Sequence, residues 1–393
     1  MSSPAEDFFQ TMLVKSFRVV LLLAHFISYG STSSLPTFSS KIKRQSLADF
    51  PPCQTPHGRH GRCKPLETCH FLNVHAGDPH RAKVLFLRHS ECGFLDEDPK
   101  VCCPLSPSDS EPEGNSSFIK TDILPSLEEC GISNVRNTDG GEETKLGEFP
   151  WMVALEYSKY DKRTKEMVPD IQCAGVLISK RYVLTAAQCV KEGLERVRLG
   201  DHNLKTNTDC GDGVCAPKYL SVIIQESVIF KTYKKQEYHD IALLYLNEEV
   251  KFSDFIKPVC LPTTVEELYR SYVGQKATVA GWGQTATSYY NNEMLLKVEV
   301  PVVNSTKHFG PDVGLVFAGG EEGKGPCYGF NGAPLMIKRQ VMGGARWYAI
   351  GVLSYGSIPC AQADEPSAYT RISKYMTWIE DNISSPKEDI YYS

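Results

Sequence analysis

No run of apolar residues in this 393-residue chain approaches the length a membrane-spanning helix needs, about 20 residues. The longest, Val19-Val20-Leu21-Leu22-Leu23-Ala24-His25-Phe26-Ile27, falls well short. There is no surplus of positive charge either. The net charge is -5, so no basic face is implied and nucleic acid is not an expected partner. No internal repeat is present, and the cysteine count, 14, is even.

What is present begins with Lys15 and Arg18, then the apolar run, then small residues at Gly30, Ser31, Ser33 and Ser34. That order reads as a secretory signal over residues 1–30, with an amphipathic amino-terminal helix as the competing reading. No membrane anchor is expected after it. The even cysteine count then reads as disulfides formed in an oxidising compartment. Three glycosylation sequons agree with export, at Asn115, Asn304 and Asn382, though each alone is weak. Lys41-Ile42-Lys43-Arg44 reads as a solvated charge run or a processing site.

Cys53, Cys63, Cys69, Cys92, Cys102 and Cys103 lie within roughly fifty residues, too few to bury much core. Cross-links must supply the stability, each typically worth about 2–4 kcal/mol. Adjacent Cys102 and Cys103 suit divergent bridges better than tetrahedral zinc ligation, and spacing alone leaves the pairing open. Residues 104–136 follow as a solvated linker rich in Pro, Ser, Asp and Glu, closed by Cys130-Gly131.

From Gly140 onward short apolar runs recur between turn signals, at 151–155, 175–178, 182–186, 219–224, 241–246, 277–280, 295–303 and 347–355. This spacing predicts an all-β barrel or sandwich rather than alternating β and α units. Ile372, Tyr375, Met376 and Ile379 share one face at helical spacing, which predicts a helix at the end.

Gly140-Gly141, Phe149-Pro150-Trp151, Cys173 with Cys189, Ala280-Gly281-Trp282-Gly283, Ser354-Tyr355-Gly356 and Tyr369-Thr370-Arg371 recur in an order and spacing that resemble trypsin-like serine proteases. The six-cysteine segment 53–103 resembles the clip domain of arthropod extracellular proteases. The resemblance implies two six-stranded antiparallel β-barrels over residues 137–384 with a C-terminal helix, preceded by the small disulfide-rich domain. It implies the bridges Cys53–Cys102, Cys63–Cys92, Cys69–Cys103, Cys130–Cys260, Cys173–Cys189, Cys327–Cys360 and, in an extra loop of clip proteases, Cys210–Cys215. A further family bridge is missing at both ends, where His308 and Phe317-Ala318-Gly319-Gly320 stand.

Acyl transfer in such proteases needs an attacking hydroxyl, an imidazole base and a buried carboxylate. Here the imidazole position is Gln188, the nucleophile position is Asn331, and the carboxylate Asp240 alone remains. A carboxamide is no base near neutral pH, because its nitrogen lone pair is delocalised into the carbonyl. His239 is adjacent to Asp240, but successive residues of a strand face opposite ways, so it is not expected to substitute. Activation in relatives pairs a new amino terminus with an aspartate before the serine; that aspartate is here Phe330, and the entry reads Asn137-Thr138-Asp139-Gly140-Gly141. Arg136 remains a candidate cleavage site in an accessible loop. The pocket base is Gly325 followed by Pro326, and Ser367 stands where glycine is usual, so a narrowed pocket with no carboxylate is expected.

No resident cofactor or metal is expected. Calcium is the one candidate, at Asp201, Asp209, Asp212 and Glu226, and a solvated acidic loop is the stronger reading. The resemblance thus implies a secreted, non-catalytic protease homologue of arthropod haemolymph, working as cofactor, scaffold or decoy with other clip-domain proteases or prophenoloxidase-type proteins. Its rivals are an active clip-domain endopeptidase and a microbial-surface recognition protein.

Overall fold

In the computed structural model, residues 50–384 are described except 56–59, 70–71, 73–89, 96–97, 105–123, 136–142, 236–238, 269, 285–292, 305–313 and 342. The signal segment, Asn115, Arg136, the entry at 137–141 and His308 therefore lie outside the described residues.

The first domain is a four-stranded sheet of β1 (Pro52–Gln54), β2 (His60–Pro65), β3 (Glu91–Leu95) and β4 (Asp98–Pro104), in the order β1-β2-β4-β3. Among the described residues there, Leu66, Leu72 and Val101 are buried. Three disulfides, Cys53–Cys102, Cys63–Cys92 and Cys69–Cys103, cross-link this thin core.

The remainder forms two closed six-stranded antiparallel barrels. The first contains β5 (Met152–Asp161), β6 (Glu166–Leu177), β7 (Tyr182–Thr185) and β8 (Leu194–Leu199). A small hairpin of β9 (Cys210–Gly211) and β10 (Val214–Cys215) follows, and β11 (Leu220–Ile229) and β12 (Ala242–Leu246) complete the barrel. Its order is β11-β12-β7-β6-β5-β8. β12 is buried along its whole length, which is why Ala-Leu-Leu-Tyr-Leu shows no polar alternation.

A one-turn helix α1 (Val265–Leu268) leads into the second barrel. Its strands are β13 (Lys276–Gly281), β14 (Leu296–Val303), β15 (Leu315–Gly319), β16 (Pro334–Val341), β17 (Gly344–Tyr355) and β18 (Pro366–Arg371). They close in the order β13-β14-β15-β18-β17-β16. The chain ends in a 3-10 turn, Ile372–Tyr375, and helix α2 (Met376–Ser384), so the predicted helix splits into two segments. Ile372, Met376, Ile379 and Ile383 are its buried face. No helix among the described residues is long and apolar enough to cross a membrane.

All 14 cysteines are paired, in the seven pairs the family resemblance implies. Cys130–Cys260 ties the end of the linker to the barrels, and backbone bonds from Gly131 to Pro258 (2.8 Å) and from Trp347 to Gly131 (3.0 Å) flank it. Part of the segment read as linker is therefore docked structure, Cys130 being 3% exposed.

Candidate functional site

Gln188 sits in the 3-10 turn Ala187–Cys189 that follows β7. The turn is tethered by Cys173–Cys189 to β6 and by the Tyr157 hydroxyl, which donates to the Cys189 carbonyl at 2.6 Å. Asp240 lies just before β12 and is 2% exposed. Its Oδ1 accepts the Gln188 backbone N–H at 2.9 Å, and its Oδ2 accepts Gln188 Nε2 at 2.8 Å and Ser354 Oγ at 2.6 Å. Thr370 Oγ1 donates to the Asp240 carbonyl at 2.8 Å. Burial pushes the Asp240 carboxyl up, and the donors from Ser354 and Gln188 oppose that shift without cancelling it.

Gln188 Nε2 also donates to the Ser354 carbonyl in a short hydrogen bond. A carbonyl only accepts, so nitrogen must be the end of the amide that faces Ser354 and Asp240. Both N–H groups of the side chain are then committed. Oε1 makes no hydrogen bond to any described residue.

Asn331 is carried on the loop between Cys327 and β16. Its carbonyl accepts from Ala174 N at 2.8 Å, and Gly332 N donates to Leu353 O at 2.9 Å. Gly332 has φ +80°, and a Cβ there would stand 2.3 Å from both the Ala174 carbonyl and Thr185 Oγ1. This contact seats Asn331 beside the end of β7, close in sequence to Gln188. Gly329 has φ +95°, and a Cβ there would lie 2.7 Å from the Trp282 carbonyl, so only glycine fits. The backbone N–H groups of Gly329 and Asn331 have no hydrogen-bond partner among the described residues. Phe330, between them, is fully buried.

Gly325 is buried and carries no charge. A Cβ on Gly356 would meet Ser367 Oγ at 2.9 Å, so the Ser367 side chain crowds that wall. The Tyr369 hydroxyl is buried without a partner, and burial holds it well above the usual phenol range.

His239 departs from expectation in its geometry. It is not in a strand, since β12 begins at Ala242, and its φ is +61°. Strand alternation therefore does not govern it. Its ring stacks on Phe230 with centroids 4.9 Å apart, and Nδ1 lies 2.9 Å from the Tyr375 hydroxyl. Burial and nearby Lys374 lower its pKa.

Among the acidic residues considered for calcium, Asp209 Oδ2 accepts from the backbone N–H groups of His202 (2.8 Å) and Asn203 (3.1 Å). Asp201 is buried near Arg198, with Nη1 to Oδ2 at 3.6 Å, and neither of its oxygens has a hydrogen bond. Among the described residues no group of three or more His, Cys, Asp and Glu stands close enough to hold a metal ion.

Asn304 is exposed, whereas Asn382 lies in α2 with Nδ2 donating to the Trp378 carbonyl at 2.8 Å. Ser354 was legible as part of a motif, but its double role, hydroxyl to Asp240 and carbonyl to Gln188, was not.

Two family models match the chain: "Trypsin" over residues 138–379 and "Regulatory CLIP domain of proteinases" over residues 53–103. CLIP domain-containing serine protease HP8 of Bombyx mori is 36% identical, over 81% of this chain and 90% of its own length. Phenoloxidase-activating factor 1 of Holotrichia diomphalia is also 36% identical, over 84% of this chain and 93% of its own. Melanization protease 1 of Drosophila melanogaster is 33% identical, over 84% and 92%. Among solved structures, the Drosophila Grass clip serine protease of the Toll pathway superposes with a TM-score of 0.58 at 30% identity, covering 85% of this chain and 98% of that one.

Proposed function

Since the chain belongs to the trypsin family of serine proteases and carries their regulatory clip domain, we propose that it is a non-catalytic member that binds partners in an extracellular cascade. The observation that carries this reading is the commitment of both Gln188 N–H groups to Asp240 and Ser354. A general base needs a lone pair that takes a proton near neutral pH. The Gln188 nitrogen has none, and Asn331 supplies no hydroxyl to be activated. His239 is turned to Phe230 and Tyr375 and is no substitute.

What remains is suited to holding a ligand. The Gly329 and Asn331 backbone N–H groups have no hydrogen-bond partner among the described residues and are available to a ligand acceptor. The partner class is other clip-domain proteases or prophenoloxidase-type proteins of insect melanization and Toll cascades, in line with the relatives named phenoloxidase-activating factor and melanization protease. The sequence signal, the sequons and the seven disulfides support a secreted protein.

The test is turnover of peptide esters, before and after limited cleavage at Arg136, together with labelling by a serine-directed phosphonate. Neither signal is expected. Stoichiometric labelling, or turnover that tracks the purified protein, would reverse the reading.

A further inference from the structure

Of the seven disulfides, Cys210–Cys215 alone has both cysteines exposed. In each of the other six at least one cysteine is buried. Thiol–disulfide exchange needs a thiolate to reach a bridge sulfur, so access separates this bridge from the rest. The same bridge closes the shortest loop. Its cysteines are 5 residues apart, against 16 for Cys173–Cys189, the next shortest. In the chain-entropy account a bridge restricts the unfolded chain more as its loop lengthens, so the fold loses least when this one opens.

Locally the bridge holds a great deal. β9 and β10 are two residues each and pair only with each other, Cys215 opposite Cys210 and Val214 opposite Gly211. A lone two-stranded hairpin is marginal in water without further support. Its turn, at Asp212 and Gly213, stands in the open, with nothing within 4 Å of where a Cβ on Gly213 would lie. At its base is Asp209, 9% exposed. The Asp209 carboxylate accepts the backbone N–H groups of His202 (2.8 Å) and Asn203 (3.1 Å) and the Thr206 hydroxyl, and its carbonyl accepts Ala216 N at 2.8 Å. The His202 carbonyl in turn accepts Leu295 N at 2.8 Å and Trp282 Nε1 at 3.3 Å, both from the second barrel's side. The exposed hairpin is thus coupled, through Asp209, to a turn that joins the two barrels.

We propose that Cys210–Cys215 is a thiol-exchange site opened by a dithiol reductant, and that its opening loosens the hold of Asp209 on residues 202–206. One thiolate of the dithiol attacks a bridge sulfur and forms a mixed disulfide, expelling the other cysteine as a thiolate. The second thiolate of the dithiol then attacks the mixed disulfide and expels the first cysteine. Two electrons pass to the bridge, the two protons of the dithiol end on Cys210 and Cys215, and the reductant leaves as a disulfide. Gln188 and Asn331 take no part, so this inference stands apart from the reading of the cleft.

The experiment treats the folded full chain with graded dithiothreitol, quenches with iodoacetamide and maps the labelled cysteines by mass spectrometry. Cys210 and Cys215 should be labelled at a reductant concentration about tenfold below that needed for any other cysteine. Labelling of another pair first, or of all pairs together, would overturn the site. Hydrogen exchange on the selectively reduced protein tests the coupling. The His202 and Asn203 amides should exchange about tenfold faster than in the oxidised protein, while the amides of β12 keep their protection. Unchanged exchange at His202 and Asn203 in protein labelled at Cys210 and Cys215 would overturn the coupling.

Discussion

Phe330 packs its ring edge onto the backbone of Gly281 in β13, so closely that a Cβ at Gly281 would stand 2.8 Å from Phe330 Cδ1. The ring is fully buried and anchors the loop that carries Asn331. Phe330→Ala should cost about 3–5 kcal/mol. Gly281→Ala should cost about 1–3 kcal/mol by overpacking. The two costs should be strongly non-additive, since removal of the ring opens the space the methyl needs. Urea unfolding of the singles and the double checks this; simple additivity would mean the contact does not govern the loop.

Restoring the two missing side chains should not restore chemistry. The double change Gln188→His with Asn331→Ser returns an imidazole next to Asp240 and a hydroxyl on the loop. Phe330, fully buried, still stands at the position of the aspartate that would pair with a new amino terminus. Turnover of a peptide ester by the double variant, nicked or intact, should stay at the buffer background. Trypsin-like rates would show that the ring is no obstacle.

Much of the architecture was legible because cysteines and glycines are tightly constrained. The seven pairs and the two barrels follow from family spacing. Four barrel strands, β8, β15, β16 and β18, were not anticipated from apolar runs. In β8 the pattern is hidden by Arg198, which a strand tolerates here because it pairs with Glu156 and lies 4.8 Å over the Tyr219 ring. The long β5–β6 hairpin was underestimated for a similar reason: its outer half is solvated, with Lys159 and Glu166 exposed beside Tyr160 and Met167, and so carries no continuous apolar run. The site residues Gln188, Asp240 and Asn331 were identifiable one by one. The direction of the Gln188 amide was not, because it depends on the Ser354 carbonyl, 166 positions away.

Asp201 makes a prediction about pH. Its carboxyl is buried, and desolvation raises its pKa from 3.8 to about 6, with Asp209 and Glu156 adding to the rise and Arg198 opposing it. The folded protein therefore binds the proton more tightly than the unfolded chain does. The stabilisation is full below the unfolded value, near pH 4, and is lost as pH rises through about 6, up to about 3 kcal/mol in all. The difference in Tm between wild type and Asp201→Asn, measured from pH 4 to 7, should shift in favour of the variant across that window. A difference that stays flat would place the carboxyl in a more solvated setting than the structure gives it.

Glu148 and Lys297 form an ion pair at 2.7 Å, with side chains 0% and 9% exposed. Glu148 Oε2 also accepts the Lys145 backbone N–H at 2.9 Å, so the carboxylate is held on both sides. The residues are 149 positions apart, and nothing in either local sequence marks them as partners. Removing one charge strands the other in a medium that solvates it poorly. Lys297→Met should therefore cost about 3–5 kcal/mol, whereas removing both charges in Lys297→Met with Glu148→Leu should recover most of that loss. Guanidinium titrations at constant pH separate the cases. If the double variant is as unstable as Lys297→Met alone, the loss comes from packing around the lysine stem rather than from an uncompensated carboxylate.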